Sequence, residues 1–281
     1  MPELRVGVTL PQFTSDPRVL TDAIVRAEDL GLDSIWAFDH LWPLSGGKNR
    51  PFMECWTSLC WAAARTKRIS AGTLVTRSTL RHPAVIGKLA ATAASIAPGR
   101  ITIGIGSGDE ASRDENEAFG IDYHSGDDRI AQFRAAVESV RHFLSSSTVD
   151  HDSGFTSLSS LPATPEIQPR PQVWVAGRSD DALQLAGELG DAWNGWGGTP
   201  GGFAADAARV RAAAGERDIA ITWAGVVSPE VCAGGAEAVA AKLSGFVEAG
   251  ASEVILTMRG AGEPRAYELA AEVRRQLRGG S

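Results

Sequence analysis

The chain has little sulfur, no surplus of positive charge and no long apolar run. It carries three cysteines (Cys55, Cys60 and Cys232) in 281 residues. An odd number with no His or Cys partners near the C-x4-C pair argues for buried free thiols in a reducing compartment, not a disulfide framework or metal knuckle. No two histidines show metal-ligand spacing, so no metal site is expected. Net charge is −7 with 34 acidic against 27 basic residues. A phosphate-binding surface normally needs a basic face, so nucleic acid is not an expected partner. No stretch approaches the roughly 18 apolar residues that a membrane span requires. The start, MPELRVGV, lacks the basic-then-apolar pattern of a signal peptide, and a cytoplasmic protein is expected.

What is present is a regular alternation. Apolar, β-branched runs at 4–10, 34–39, 69–75, 101–106, 172–176, 191–195, 219–227 and 253–258 read as strands. Stretches of helical periodicity follow each, several opened by a capping acid or a first-turn proline such as Asp16-Pro17. Eight strand–helix units predict a (β/α)8 TIM barrel forming one domain over 1–281. A doubly wound open sheet is the rival. Residues 145–171, rich in Ser, Thr and Pro, read as a long insertion loop with a short hairpin near Asp152-Ser153-Gly154, of the kind that serves as a lid or mobile excursion.

Barrel chemistry collects at the carboxyl ends of the strands, which selects few residues. Asp39-His40 joins a carboxylate to a side chain that titrates near neutrality; the competing reading is a turn cap beside a packed polar residue. ITIGIGSGDE, residues 101–110, ends a buried strand in Gly104, Gly106 and Gly108 and then two acids. It reads either as the floor of a site or as a strand with a flexible turn, and its spacing fails the dinucleotide fingerprint. Asp109 is the better acid or base candidate of its two carboxylates. Ala176-Gly177-Arg178-Ser179 precedes a helix, where free N–H groups and the helix dipole suit a phosphate; Ser179 also suits a simple cap. Trp42, Trp193 and Trp196 at strand ends could wall a planar ligand, while Trp36 and Trp174 within strands read as core.

The stretches SIWAFDHLWP, GTLVTRSTLRHPAVIGKLAAT, APGRITIGIGSGDE, ENEAFG and VWVAGRSDDALQLAGELGDAWNGWG, in that order, resemble the luciferase-like monooxygenase superfamily. Within it they are most similar to the deazaflavin (coenzyme F420)-dependent oxidoreductases. The resemblance implies a barrel, usually dimeric, holding a flavin or deazaflavin at its mouth beside a small-molecule substrate. It implies that His40 contacts substrate and acts as a base, with Asp109 assisting. It also implies a bulge at Thr73-Leu74, often with a non-prolyl cis peptide, that props the ring. Asp39, Thr76, Gly106, Ser107 and Gly108 would lie around that ring, and Ala176, Gly177, Arg178 and Ser179 would cradle its phosphate. The expected reaction is hydride transfer between coenzyme F420 and an organic substrate. An FMN-dependent monooxygenase, a reductase of a folate- or pterin-like carrier and a non-catalytic barrel are the alternatives. The chain is short for the family, which implies a reduced insertion segment.

Overall fold

The computed structural model describes residues 3–43, 46–258, 260 and 262–279; residues 1, 2, 44, 45, 259, 261, 280 and 281 of the expected domain lie outside them. Among the described residues the strands are β1 Arg5–Thr9, β2 Ser34–Ala37, β3 Ser70–Arg77, β4 Ile101–Gly106, β5 Thr148–Asp152, β6 Ser157–Pro162, β7 Gln172–Ala176, β8 Ala192–Trp196, β9 Ala220–Val227 and β10 Glu253–Met258. The helices are α1 Pro17–Asp29, α2 Cys55–Arg65, α3 Pro83–Ile96, α4 Arg113–Ala118, α5 Gly126–Ser145, α6 Asp180–Leu189, α7 Pro200–Ala214, α8 Pro229–Ala233, α9 Gly235–Glu248 and α10 Pro264–Gly279.

Eight of the strands close into a parallel barrel in the order β1-β10-β9-β8-β7-β4-β3-β2. The open-sheet rival is thereby excluded. A parallel strand in such a barrel is covered on both faces, which explains why these segments are apolar at nearly every position. One apolar layer fills the space between barrel and helices. A second fills the lumen, where Trp36, Leu74, Trp174, Ala192, Ala224 and Ile255 meet. Trp36 and Trp174 are the large pieces of that lumen, with ring centroids 4.7 Å apart, so the core expectation for both holds.

The strand β3 breaks register against β4 between Thr73 and Thr76, and the Leu74–Val75 peptide within the break is cis. This is the bulge that the resemblance implied. It also corrects the reading of the β4 glycines. A Cβ at Gly104 would lie 2.3 Å from the Thr73 carbonyl oxygen, and one at Gly106 would lie 2.6 Å from Val75 Cγ2. Gly104 and Gly106 therefore clear room for the bulge of the neighbouring strand.

Residues 145–171 are more ordered than a loop. β5 and β6 form the antiparallel hairpin, in the place its turn residues suggested. Val149 and Ala163 pack with Ala91 of α3 and Phe143 of α5, so this insertion is fastened to the outside of the helical layer.

Candidate active site

The mouth of the barrel holds a buried set of charges drawn from four segments. The segment after β2 delivers Asp39 and His40; β3 and the turn beyond it deliver Arg77 and Arg81; α4 delivers Glu115; Glu54 precedes α2. Asp39 is 1 % exposed. Its Oδ2 accepts hydrogen bonds from Thr76 Oγ1 (2.5 Å) and from Arg81 Nη1 (2.6 Å). Arg81 reaches Glu54 with its other nitrogen, also at 2.6 Å. The second oxygen of Asp39, Oδ1, is buried without a partner among the described residues. A buried carboxylate oxygen left in that state is costly, and it marks the place where a ligand donor would be received.

Glu115 is the hub of the other half. Its side chain is fully buried, and Oε2 faces His40 Nδ1 at 2.9 Å and Arg77 Nη2 at 2.7 Å. Oε1 accepts from the backbone N–H groups of Leu41 and Trp42. Burial would raise the Glu115 carboxyl, but hydrogen bonds from His40 and Leu41, with the Arg77 charge, outweigh it and hold the group below the ordinary glutamate range. An ionised carboxylate only accepts, so the His40 proton lies on Nδ1 and leaves Nε2 as the ring atom open to chemistry. Some 21 % of the His40 side chain remains exposed. Arg77 is 3 % exposed and also bonds Asn116 Oδ1 and the Asp39 carbonyl, which ties the two halves together.

The structure joins Asp39, His40 and Thr76 in this network. Thr76 Oγ1 also accepts from Trp56 Nε1 (3.1 Å), and Thr73 Oγ1 is turned to the Gly104 carbonyl at 2.8 Å. Both hydroxyls are thus occupied within the protein. Leu74, 6 % exposed, caps the lumen. Ser107 Oγ donates to the Gly108 carbonyl, and Gly108 has φ of +72°, a backbone that suits glycine. Asp109 does not join the cluster. It is exposed, and its Oδ1 accepts from the Ser112 N–H (3.1 Å) and hydroxyl (2.8 Å), capping the turn at Glu110–Ser112. The acid that α4 buries is Glu115.

Ala176 to Ser179 form a separate cradle where β7 passes to α6. Gly177 has φ of +142°, and its carbonyl receives Trp193 Nε1 at 2.8 Å. Ser179 caps α6 through the Ala182 N–H. Arg178 is held by Asp206 at 2.8 Å, so an anion here would compete with a carboxylate for the guanidinium. Trp193 is fully buried against Phe203 and belongs to the core, contrary to its expected place in an aromatic wall. Trp196 is 43 % exposed and meets Phe38 edge-on beside a mouth cavity of about 650 Å³. Among the described residues no group of three or more His, Cys, Asp or Glu could hold a metal ion, and no helix is long and apolar enough to cross a membrane.

Sequence reasoning missed Arg77, Arg81, Glu115 and Asn116. All four lie in the ENEAFG and TLVTRSTLR stretches that carry the resemblance, so the stretches themselves are the signal that finds them.

Residues 3–278 match the family model described as luciferase-like monooxygenase. The chain is 37 % identical over 196 residues to the F420-dependent glucose-6-phosphate dehydrogenase of Beutenbergia cavernae, covering 67 % of this chain and 55 % of that protein. It is 35 % identical to the enzyme of the same name from Kineococcus radiotolerans, covering 68 % and 56 %. Among solved structures, an F420-dependent secondary alcohol dehydrogenase in complex with an F420-acetone adduct superposes with a TM-score of 0.83 at 18 % identity, over 96 % of this chain and 99 % of that one. The coenzyme F420-dependent tetrahydromethanopterin reductase of Methanopyrus kandleri gives 0.79 at 17 %, over 98 % and 99 %. These superpositions agree with the barrel. The chain belongs to the luciferase-like monooxygenase family. It spans about half the length of the curated relatives that it matches.

Proposed function

We propose that the chain is a coenzyme F420-dependent oxidoreductase acting on a small organic molecule, as the homodimer that the resemblance implies and in the reducing cytoplasm that its free cysteines suit. The observation that carries the reading is the Asp39–His40–Glu115 assembly at the mouth, next to the β3 bulge. The residues fit the cofactor. Asp39 Oδ1 is a buried acceptor without a donor among the described residues, suited to a ring N–H. Leu74 offers an apolar platform above the lumen, and Gly177, without a side chain at the turn into α6, would lie at the phosphate end.

When bound, the deazaflavin would supply or accept hydride, which is the cofactor's own chemistry. The protein's residues orient, exclude water and move a proton. Glu115, kept ionised by its hydrogen bonds from His40 and Leu41 and by the Arg77 charge, fixes the His40 ring with Nδ1 protonated. His40 Nε2 then takes a proton from a substrate hydroxyl, or gives one to a carbonyl oxygen when charged. The lumen tryptophans behind Leu74 keep water from the underside of the site.

The relatives named above support the choice of F420 over FMN. The experiment compares His40→Ala with the wild-type chain, using F420 and a panel of secondary alcohols and ketones. Turnover should fall by roughly 10²–10⁴-fold with the F420 dissociation constant within about tenfold. Unchanged turnover removes His40 from the proton transfer.

A further inference from the structure

The cavity at the mouth differs in character from the buried charge network beside it. It lies at the carboxyl ends of β1, β2, β9 and β10 and next to Trp196 of β8. Leu10, Phe13, Phe38, Trp196, Val226 and Met258 form the apolar part of its wall, together with Pro11 and Val19. Phe13, Trp196 and Val226 are 42 %, 43 % and 50 % exposed. Exposed apolar side chains gathered around one concavity mark a ligand site rather than chance surface. The wall is also held in place. Gln12, fully buried, accepts from the Phe38 N–H and donates to the Phe38 and Met53 carbonyls. Phe38 in turn packs on the lumen cluster that contains Leu74, so one side chain joins the cavity to the proposed cofactor platform.

Among the described residues Arg50 is the one charged side chain on this wall, exposed at the rim and 5.6 Å from the centroid of Phe13. A sugar phosphate would bring two negative charges and several hydroxyls against aromatic and aliphatic groups. Those groups offer no hydrogen bonds in return for the lost water. Thr9, Thr14 and Thr257 add hydroxyls to the wall, and of these the Thr257 hydroxyl is buried without a partner among the described residues, so it is placed to receive a polar group of the ligand.

From these features we infer that the cavity takes a neutral, largely apolar organic molecule bearing a carbonyl or hydroxyl group in preference to a sugar phosphate. The inference deepens the proposed function and rests on it for the word substrate; the binding preference itself is independent of any cofactor. Calorimetric titration without cofactor tests it, with 2-adamantanone and glucose 6-phosphate as probes. Coenzyme F420 affinity is measured separately on the same preparations. The ketone should bind, glucose 6-phosphate should not, and Val226→Asp should weaken the ketone at least tenfold. Trp196→Ala gives a second, uncharged variant with the same expected direction. Binding of glucose 6-phosphate without the ketone overturns the inference, as does ketone binding indifferent to both substitutions. Ketone binding that responds to both variants in a protein with no affinity for F420 upholds the cavity's preference and refutes the cofactor reading instead.

Discussion

Glu115→Gln changes one atom type at the centre of the site, and its effect can be worked out from the four contacts of the carboxylate. Oε1 receives two N–H donors from Leu41 and Trp42, and Oε2 faces His40 Nδ1 and Arg77 Nη2. Whichever way the amide is turned, its NH₂ group meets two donors. Arg77, 3 % exposed, keeps its charge and loses its carboxylate. Removing one partner of a buried ion pair costs about 3–5 kcal/mol. For 281 residues, an unfolding entropy of roughly 2.1 cal/mol/K per residue converts that loss to a fall of about 5–8 °C in Tm. With the NH₂ towards His40, the imidazole proton moves to Nε2 and the base is lost, so turnover should drop by roughly 10²–10⁴-fold. Circular dichroism melts and steady-state turnover measure the two effects. The neighbouring Asp114→Asn is the control, since the Asp114–Lys48 pair at 3.1 Å is exposed and contributes about 0–1 kcal/mol. A Glu115→Gln protein with wild-type Tm and turnover would refute the reasoning.

Three further expectations concern the backbone and the acid side. Gly104→Ala places a Cβ 2.3 Å from the Thr73 carbonyl oxygen and 2.8 Å from Val75 Cγ1. It should destabilise the barrel by about 1–3 kcal/mol, read as a lower urea midpoint; an unchanged midpoint removes the glycine's packing role. Gly177→Val combines φ of +142° with a Cβ 2.7 Å from Ala182 Cβ, and should weaken F420 binding. An unaffected dissociation constant would move the phosphate elsewhere. Burial raises the Glu115, Asp33 and Asp191 carboxyls, but their arginine and N–H partners outweigh it and leave all three below the ordinary range. The unfolded chain therefore binds more protons in acid. Stability contributed by these groups is complete above about pH 5 and is lost as pH falls through their lowered folded values. Urea midpoints followed from neutral pH down to about 3 should decline, and a midpoint that rose on acidification would contradict the ion-pair account.

The barrel was legible because its signal is repeated eight times. Each strand is buried on both faces, and each helix carries an apolar stripe. The Asp39-His40 pair was legible from its place just beyond an apolar strand. Glu115 was not. It lies in RDENEA, six residues with no apolar stripe, and a charged run of that length reads as solvated surface. Only the tertiary packing of α4 over the mouth buries Glu115 and Asn116 while leaving Asp114 outside. The β4 glycines misled for a related reason. A glycine reports that something comes close, and the sequence does not say whether the neighbour is a ligand or, as here, Val75 of the adjacent strand. Asp109 has the right address for chemistry, but its carboxylate is spent on capping the turn at Ser112.

The central claim is that the mouth is built for a deazaflavin. Its most direct test is titration of the purified chain with coenzyme F420 and with FMN in parallel, followed by cofactor fluorescence. The account predicts saturable F420 binding at least tenfold tighter than that of FMN. Tight FMN binding with no measurable affinity for F420 would contradict it.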